Sequence, residues 1–157
     1  MYPGILHSAA ARAGYTLVEM VIVICALSIL SVMSYVKLQP SLEHGKVNSA
    51  AAVMAADFQY AQLMAARQRK PVVIIITTAT QSYVIRDRSD ASLVFRTRYL
   101  GANTDYSLDQ MSGSPSTSVQ VFATGITPVT TTFTLGLHGY QRLVKFTKAG
   151  QVRVLKA

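Results

Sequence analysis

An uncharged, apolar segment near the amino terminus constrains this chain more than any other feature. It runs for 17 residues, from Met20 to Val36, in a sequence of 157 residues. At about 1.5 Å per residue, a helix of that length extends roughly 26 Å, close to the thickness of a bilayer's hydrocarbon core. A helix that is apolar on all sides is buried in a membrane or in a large core. Because the rest of the chain is too small to enclose it, we expect the segment to enter a membrane.

A cleaved secretory signal is the alternative interpretation of this segment. Such a signal has an apolar region of about 7–15 residues, followed by small residues at the cleavage site. Here the apolar segment is longer, and the small residues Ala9, Ala10 and Ala11 precede it. The residues that follow it, Lys37-Leu38-Gln39-Pro40, do not form a cleavage site of that kind. We therefore expect the segment to remain in the mature protein.

A short motif stands directly before the apolar segment, Ala13-Gly14-Tyr15-Thr16-Leu17-Val18-Glu19. It resembles the class III signal of type IV prepilins and type II secretion pseudopilins, with Tyr15 in place of the usual phenylalanine. The resemblance implies that prepilin peptidase cleaves between Gly14 and Tyr15 and methylates the new amino group. It also implies a single-pass protein of the bacterial inner membrane with an external, periplasmic C-terminal domain, which then enters a pilus or pseudopilus.

Glu19 is an isolated carboxylate at the head of the apolar segment, and two interpretations are open. An ionised carboxylate inside a bilayer costs at least about 2–3 kcal/mol, so it needs a partner or a place at the interface. In the first interpretation, Glu19 lies at the headgroup level and stabilises the helix N-terminus. In the second, which the resemblance implies and which we favour, it pairs with the amino terminus of a neighbouring subunit during filament assembly.

Helical periodicity resumes after the apolar segment. Pro40 and Gly45 predict a kink or an interruption of the helix. Beyond them, apolar residues recur at spacings of three and four, which predicts one buried stripe that packs on a sheet. The stripe consists of Val47, Ala51, Met54, Phe58, Ala61 and Ala65. Arg67, Arg69, Lys70 and Pro71 predict a cationic last turn and a stop.

From residue 71 onward the apolar pattern is typical of strands. The β-branched run 72–77 and the segment 81–85 predict a hairpin. Further strands are predicted over 93–100, 119–122, 130–137, 143–147 and 151–155, about seven in all. His138-Gly139-Tyr140 and Lys148-Ala149-Gly150 are predicted turns, and the polar stretch 101–118 is a predicted exposed loop.

Two further segments narrow the resemblance to the GspH/FimT group of minor pseudopilins and minor pilins. They are the helix-to-strand junction 65–73 and the C-terminal segment 145–154. The resemblance implies an α+β, pilin-like fold, in which a long N-terminal helix packs on a C-terminal antiparallel β-sheet domain. It divides the chain into a leader (1–14), a transmembrane and filament-core helix (15–38), an amphipathic helix (39–70) and a β-domain (71–157).

The same resemblance implies a structural subunit of a type II secretion pseudopilus or a type IV pilus, with other pilins or pseudopilins as partners. A membrane-anchored β-domain that forms no filament is a further alternative. We expect that the protein is not an enzyme, because its sequence has no phosphate-binding loop, nucleophile elbow or metalloprotease motif. His44 and His138 fall in a predicted break and a predicted turn. With one cysteine, Cys25, and no spaced acidic set, we expect no metal and no cofactor.

The net positive charge of the chain is not explained by a structural role. The chain has 15 lysines and arginines against 7 acidic residues, a formal charge of +8. The cations concentrate in two places, the neighbouring strand segments between residues 86 and 98 and the last hairpin. This clustering is typical of a polyanion-binding surface. The FimT-like minor pilins that this chain resembles bind DNA through a Gly-Arg-x-Arg motif, of which Gly150-Gln151-Val152-Arg153 keeps only the last arginine. DNA binding for uptake is therefore the alternative function. The candidate residues are Arg86, Arg88, Arg96, Arg98, Lys145, Lys148, Arg153 and Lys156.

Overall fold

The computed structural model describes residues 14–157, without the side chains of residues 33–38. The predicted leader therefore lies outside the described residues, except for Gly14. The last residues of the apolar segment, 33–36, are described by their backbone alone. The chain divides into two compact units, the first ending at Gln39 and the second spanning Pro40–Ala157.

One helix, α1, spans Leu17–Gln68 and contributes to both units. The expected interruption at Pro40 is absent, since the helical conformation continues through this residue. A proline removes one main-chain hydrogen bond, and the helical turns on either side retain theirs. In the part of the chain that the structure describes, no helix combines the length and apolar character needed to cross a membrane.

The first unit includes the start of α1. The Thr16 hydroxyl accepts a hydrogen bond from the Glu19 N–H at 3.2 Å, which caps the helix. The apolar side chains between residues 17 and 32 are exposed, and Leu17 has 80% of its surface free. Ser28 and Ser31 donate their hydroxyl hydrogens to the carbonyls of Ile24 and Leu27 at 2.7 and 2.8 Å. These two hydroxyls therefore add no unsatisfied polar group to the apolar surface.

The second unit begins with the amphipathic part of α1, and its predicted stripe is confirmed. All six residues of the stripe, from Val47 to Ala65, have no exposed surface. The helix ends at Gln68, where Arg69 takes a left-handed conformation with φ 54° and Pro71 soon follows. A left-handed residue after the last turn, followed by proline, is a common way to end a helix.

Eight strands follow the helix and form two antiparallel sheets. Sheet A has the order β3-β2-β1-β5, and sheet B has the order β4-β6-β7-β8. The strands of sheet A are β1 (Val72–Thr77), β2 (Ser82–Asp87), β3 (Val94–Tyr99) and β5 (Ser118–Val121). Those of sheet B are β4 (Gln110–Ser114), β6 (Thr131–Leu137), β7 (Tyr140–Phe146) and β8 (Val152–Lys156). A short 3-10 turn, Thr78–Thr80, joins β1 to β2.

Both sheets pack on the apolar stripe of α1 around one core. Phe58 lies between Phe133 and Phe146, with ring centroids 5.3 Å away in each case. The alternating residues Val72, Ile74 and Ile76 of β1 complete the core from sheet A. The expected α+β class, with a long helix packed on antiparallel strands, is thus the observed one.

The strand prediction is wrong at one element and displaced at another. Strand β4 lies inside the stretch 101–118, for which the sequence predicts a loop. No sequence pattern indicates this strand, because it has no β-branched residue and only Met111 is buried in the core. Its conformation comes from pairing with β6, which a local pattern does not show. Strand β7 begins at Tyr140, because the turn needs only His138 and Gly139, with φ 48° and 86°.

Candidate functional site

The side chains of Arg96 and Arg98 on β3 converge on one carboxylate of the helix. In the register of sheet A, Arg96 lies opposite Ile85 and Arg98 opposite Tyr83, two buried residues. The two arginines therefore face the helix side of the sheet. Arg98 donates from Nε and Nη2 to Asp57 Oδ2 and Oδ1 at 3.0 and 3.2 Å, and Arg96 Nη1 donates to Asp57 Oδ1.

Asp57 is 1% exposed, so this carboxylate depends on its hydrogen bonds. The Tyr83 hydroxyl donates a further bond to Oδ2 at 2.7 Å. Burial by itself would raise the pKa of Asp57, but the bonds from Arg98, Tyr83 and Arg96 outweigh it and hold the pKa below its usual value. Burial and the adjacent carboxylate raise the pKa of Tyr83. Asp57 is thus an ionised acid that ties the edge strand β3 to α1.

Sequence reasoning missed the role of Asp57 and Tyr83. The available signal was an acidic residue directly beside Phe58, inside an otherwise apolar stretch of helix. Arg96 also lies over the ring of Tyr60, with its guanidinium carbon 4.1 Å from the ring centroid. Planar arginines favour this stacking.

The other two arginines of the expected cluster lie elsewhere. Arg86 lies opposite Val73, on the face of sheet A that points away from the helix. Arg88, which is exposed, follows β2 and lines a groove that also contains Val73. The structure therefore separates Arg86 and Arg88 from Arg96 and Arg98.

The C-terminal cations, in contrast, lie together on β7 and β8. Lys145 lies directly opposite Arg153, and Lys156 lies opposite Arg142. Lys148 is exposed in the turn between the two strands. Among the described side chains, no carboxylate forms an ion pair with Lys145, Lys148, Arg153 or Lys156. Like charges that face each other across strands destabilise a sheet, so a bound anion would relieve this arrangement.

The turn between β7 and β8 is held by the helix. Gln62 Nε2 donates to the carbonyl of Gly150 at 2.6 Å and to that of Gly125 at 3.1 Å. Gly150 has φ +81°, and a Cβ placed there would lie 2.7 Å from Gln62 Nε2 and would collide with the Gly125 carbonyl. Glycine is therefore required at this position for two independent reasons.

The motif at the head of α1 is exposed. Gly14 and Tyr15 precede the helix, and Tyr15 has 76% of its surface free. Glu19 lies in the first helical turn, where a negative charge is favourable. The Thr16 hydroxyl bonds the main-chain N–H of Glu19 and not its carboxylate, so both interpretations of the Glu19 carboxylate remain predictions.

The two histidines among the described residues, His44 and His138, have structural contacts. His138 Nδ1 lies 2.8 Å from Glu43 Oε1, and its main-chain N–H donates to Asp109 Oδ2 at 2.8 Å. His44 stacks on Tyr140 with 3.8 Å between ring centroids. Both contacts connect α1 to the β6–β7 turn or to the strand after it.

The apolar stripe of α1 packs on two antiparallel sheets, and an exposed apolar portion of the same helix precedes the stripe. Comparisons with known proteins identify this arrangement as pilin-like. Residues 50–150 match the family model "Type II transport protein GspH". The chain therefore belongs to the GspH family. No curated protein matches the sequence significantly.

Solved structures with this fold come from both kinds of filament system. The type IV minor pilin FimU of Pseudomonas aeruginosa, in two crystal forms, has TM-scores of 0.57 and 0.58 at 20% identity. These matches cover 69% and 72% of this chain and 92% and 90% of FimU. The minor pseudopilin EpsH from the type II secretion system of Vibrio cholerae has a TM-score of 0.56 at 13% identity, over 71% of this chain and 97% of EpsH.

The family and the fold together define what kind of protein this is. It is a structural subunit of the pilin and pseudopilin class, not an enzyme. Its partners include other subunits of that class.

Proposed function

We propose that the protein is a minor pseudopilin or minor pilin that prepilin peptidase cleaves between Gly14 and Tyr15, with methylation of the new amino group. Residues 15–38 then hold it in the bacterial inner membrane, with the β-domain in the periplasm, until it enters a filament. The observation that carries this proposal is the head of α1. There the exposed Gly14-Tyr15 bond directly precedes a capped helix whose apolar side chains from residue 17 to residue 32 are exposed.

Glu19 is the assembly residue in this proposal. Its carboxylate lies in the first turn of α1, one turn from the amino group that cleavage would create at Tyr15. In a bundle of such helices, a neighbour's amino group would supply the cation that a carboxylate at membrane depth needs. Pairing between subunits would therefore select the correct axial position of each helix.

Replacing Glu19 with glutamine tests this role. We expect Glu19→Gln to be cleaved normally but to enter filaments at least about tenfold less, since it loses the attraction of a desolvated ion pair. The measurement is N-terminal sequencing of the protein from membranes, together with its amount in sheared filament fractions. Asp105→Asn, which neutralises an exposed carboxylate of the β-domain, is the control. A mature protein that still begins at Met1, or normal incorporation of Glu19→Gln, would contradict the proposal.

A type II secretion pseudopilus and a type IV pilus remain two settings for the same subunit. Deleting the gene and scoring exoprotein release, twitching and DNA uptake assigns the machine. Loss of exoprotein release alone assigns the subunit to secretion, and loss of twitching or uptake assigns it to a pilus.

DNA binding is the second candidate function, and the unpaired cations of β7 and β8 favour it. Lys145 and Arg153 are adjacent on one face, and Lys148 is in the turn beside them. Contacts from these residues would reach phosphates and carry no sequence information. Arg96 and Arg98, whose charges are paired with Asp57, contribute less to this second proposal than the C-terminal group.

The second candidate predicts salt-dependent binding to duplex DNA. We expect Lys145→Gln combined with Arg153→Gln to weaken binding and to reduce the slope of log K against log salt by about 1.8, for two lost phosphate contacts. Fluorescence anisotropy with a labelled duplex measures both quantities. Arg67→Gln combined with Lys70→Gln removes the same charge from exposed positions at the end of α1. Equal effects of the two double variants, or no binding at low salt, would rule out a site on β7 and β8.

A further inference from the structure

The segment of α1 from residue 40 to residue 46 lies outside the core of the second unit. No side chain in this segment is buried, and the buried stripe begins at Val47. Pro40 lacks the main-chain N–H that would bond one turn back, and Gly45 weakens a helix by about 0.5–1 kcal/mol relative to alanine. A Cβ placed at Gly45 would meet no atom within 4 Å, so that side of the segment is open. The position of this weak part of the helix therefore depends on contacts made by its side chains.

Two neighbouring residues of this segment, Glu43 and His44, contact the β6–β7 turn and the start of β7. Glu43 Oε1 lies 2.8 Å from His138 Nδ1, and the His44 ring stacks on the ring of Tyr140. The side chains of Glu43 and His138 are 29% and 67% exposed, so water can compete for their contact. Both contacts involve a histidine, the side chain that changes its charge between about pH 5 and pH 8.

The charges around the His138 ring come from three elements. On α1, the Glu43 carboxylate faces the ring directly. Before β4, the Asp109 carboxylate accepts the main-chain N–H of His138 at 2.8 Å. On β7, the Arg142 guanidinium donates from Nε to Asn48 Oδ1 at 2.6 Å. A protonated His138 ring is thus opposite in charge to both carboxylates, while the guanidinium is bonded to a neutral amide.

We propose that Glu43 and His138 form a pH-dependent clasp that holds residues 40–46 of α1 against the β6–β7 turn. In mild acid the ring carries a positive charge, and its bond to the Glu43 carboxylate is charge-assisted, about twice as strong as a neutral hydrogen bond. As the pH rises and the ring loses its proton, this attraction is lost and the segment opens more often. Asn48, whose amide carries no charge, holds the following turn to Tyr140 and Arg142 at every pH. Opening is therefore confined to the part of α1 that leads into the second unit.

The clasp acts within one chain, so it can be tested without cleavage or filament assembly. Hydrogen exchange of the full-length protein in detergent micelles, followed by mass spectrometry at pH 5.5 and pH 8, measures the opening of residues 40–46. Dividing the intrinsic exchange rate by the measured rate gives a protection factor, from which the direct effect of pH on exchange is removed. Residues 59–65 of the same helix are the internal reference, since the buried Ala61 and Ala65 hold them in the core.

We expect the protection factor of residues 40–46 to be about twofold to fivefold higher at pH 5.5 than at pH 8, the range for a partly exposed ion pair. Glu43→Gln and His138→Asn should each remove this difference, and the double variant should lose no more protection than either single variant. Asparagine adopts the left-handed conformation of His138, φ 48°, and does not titrate. His44→Phe, which keeps a ring against Tyr140 and does not titrate, is the matched control and should retain the pH dependence.

Equal protection of residues 40–46 at the two pH values in the wild type would overturn the proposal. A pH dependence that persists in Glu43→Gln or in His138→Asn would also overturn it. Loss of the pH dependence in His44→Phe would assign the effect to the stacked rings instead. Because Glu43→Gln leaves the β6–β7 turn unchanged, this variant decides the outcome even if His138→Asn disturbs folding.

Discussion

Asp57→Asn is expected to lower the free energy of unfolding of the second unit by about 2–4 kcal/mol. This is less than the largest losses seen when a fully buried ion pair is broken, because the arginine partners of Asp57 are partly exposed. The substitution leaves Arg96 and Arg98, with 35% and 34% of their side chains exposed, without their carboxylate. It also weakens the bond from Tyr83, which is fully buried. Urea unfolding of Pro40–Ala157, which contains every buried apolar residue of the described chain, measures the loss.

Asp105→Asn is the matched control for Asp57→Asn, since Asp105 is exposed. We expect the control to unfold within about 0.5 kcal/mol of the wild type. A loss of similar size in both variants would show that net charge, and not the contacts of Asp57, determines the effect. Tyr83→Phe, which removes only the hydroxyl, should cost about 1 kcal/mol.

The acid dependence of stability should differ between the wild type and Asp57→Asn. Because the pKa of Asp57 is lower in the folded state than its ordinary value of 3.8, the unfolded state binds the proton more readily. The contribution of Asp57 is therefore complete above that ordinary value and is lost as the pH falls through the folded pKa. Urea unfolding between pH 7 and pH 2 should show the two proteins converging in acid. A constant difference over this range would contradict the assignment.

Gly150→Ala is the second substitution with a large expected effect, a loss of about 2–4 kcal/mol. Left-handed backbone costs a residue with a Cβ about 1–2 kcal/mol, and Gly150 has φ +81°. The added Cβ would also displace the Gly125 carbonyl and disturb the Gln62 bonds that hold the turn to α1. Thermal unfolding measures the loss. DNA binding should fall with it if Lys148 in this turn and Arg153 on β8 contact the DNA.

Gly139→Ala separates the two causes. Gly139 has φ +86°, but a Cβ there would have no atom within 4 Å. This control should therefore lose only the backbone term, about 1–2 kcal/mol. Equal losses in the two variants would show that the close approach at Gly150 is unimportant.

Local patterns predicted most of the fold. The stripe from Val47 to Ala65, the helix end before Pro71 and the β-branched strand β1 all lie where periodicity and stop residues indicate. The candidate site was predicted less well. Arg96 and Arg98 do share a face, but that face is occupied by Asp57, which lies 39 and 41 residues earlier in the chain. No spacing within one strand can show which distant residue lies opposite it.

The amino-acid sequence by itself determined the helix with its apolar stripe, its end, the strand-rich C-terminal part and the motif at Gly14-Tyr15. Each of these depends on periodicity or on neighbours within a few residues, and such features are local. The tertiary structure alone decided that β4 is a strand, that β5 pairs with β1, and that the four arginines divide between two faces. It also brought Glu43 and His138, 95 residues apart in the chain, into contact. These outcomes depend on which strands become neighbours, and burial of one shared core selects that arrangement.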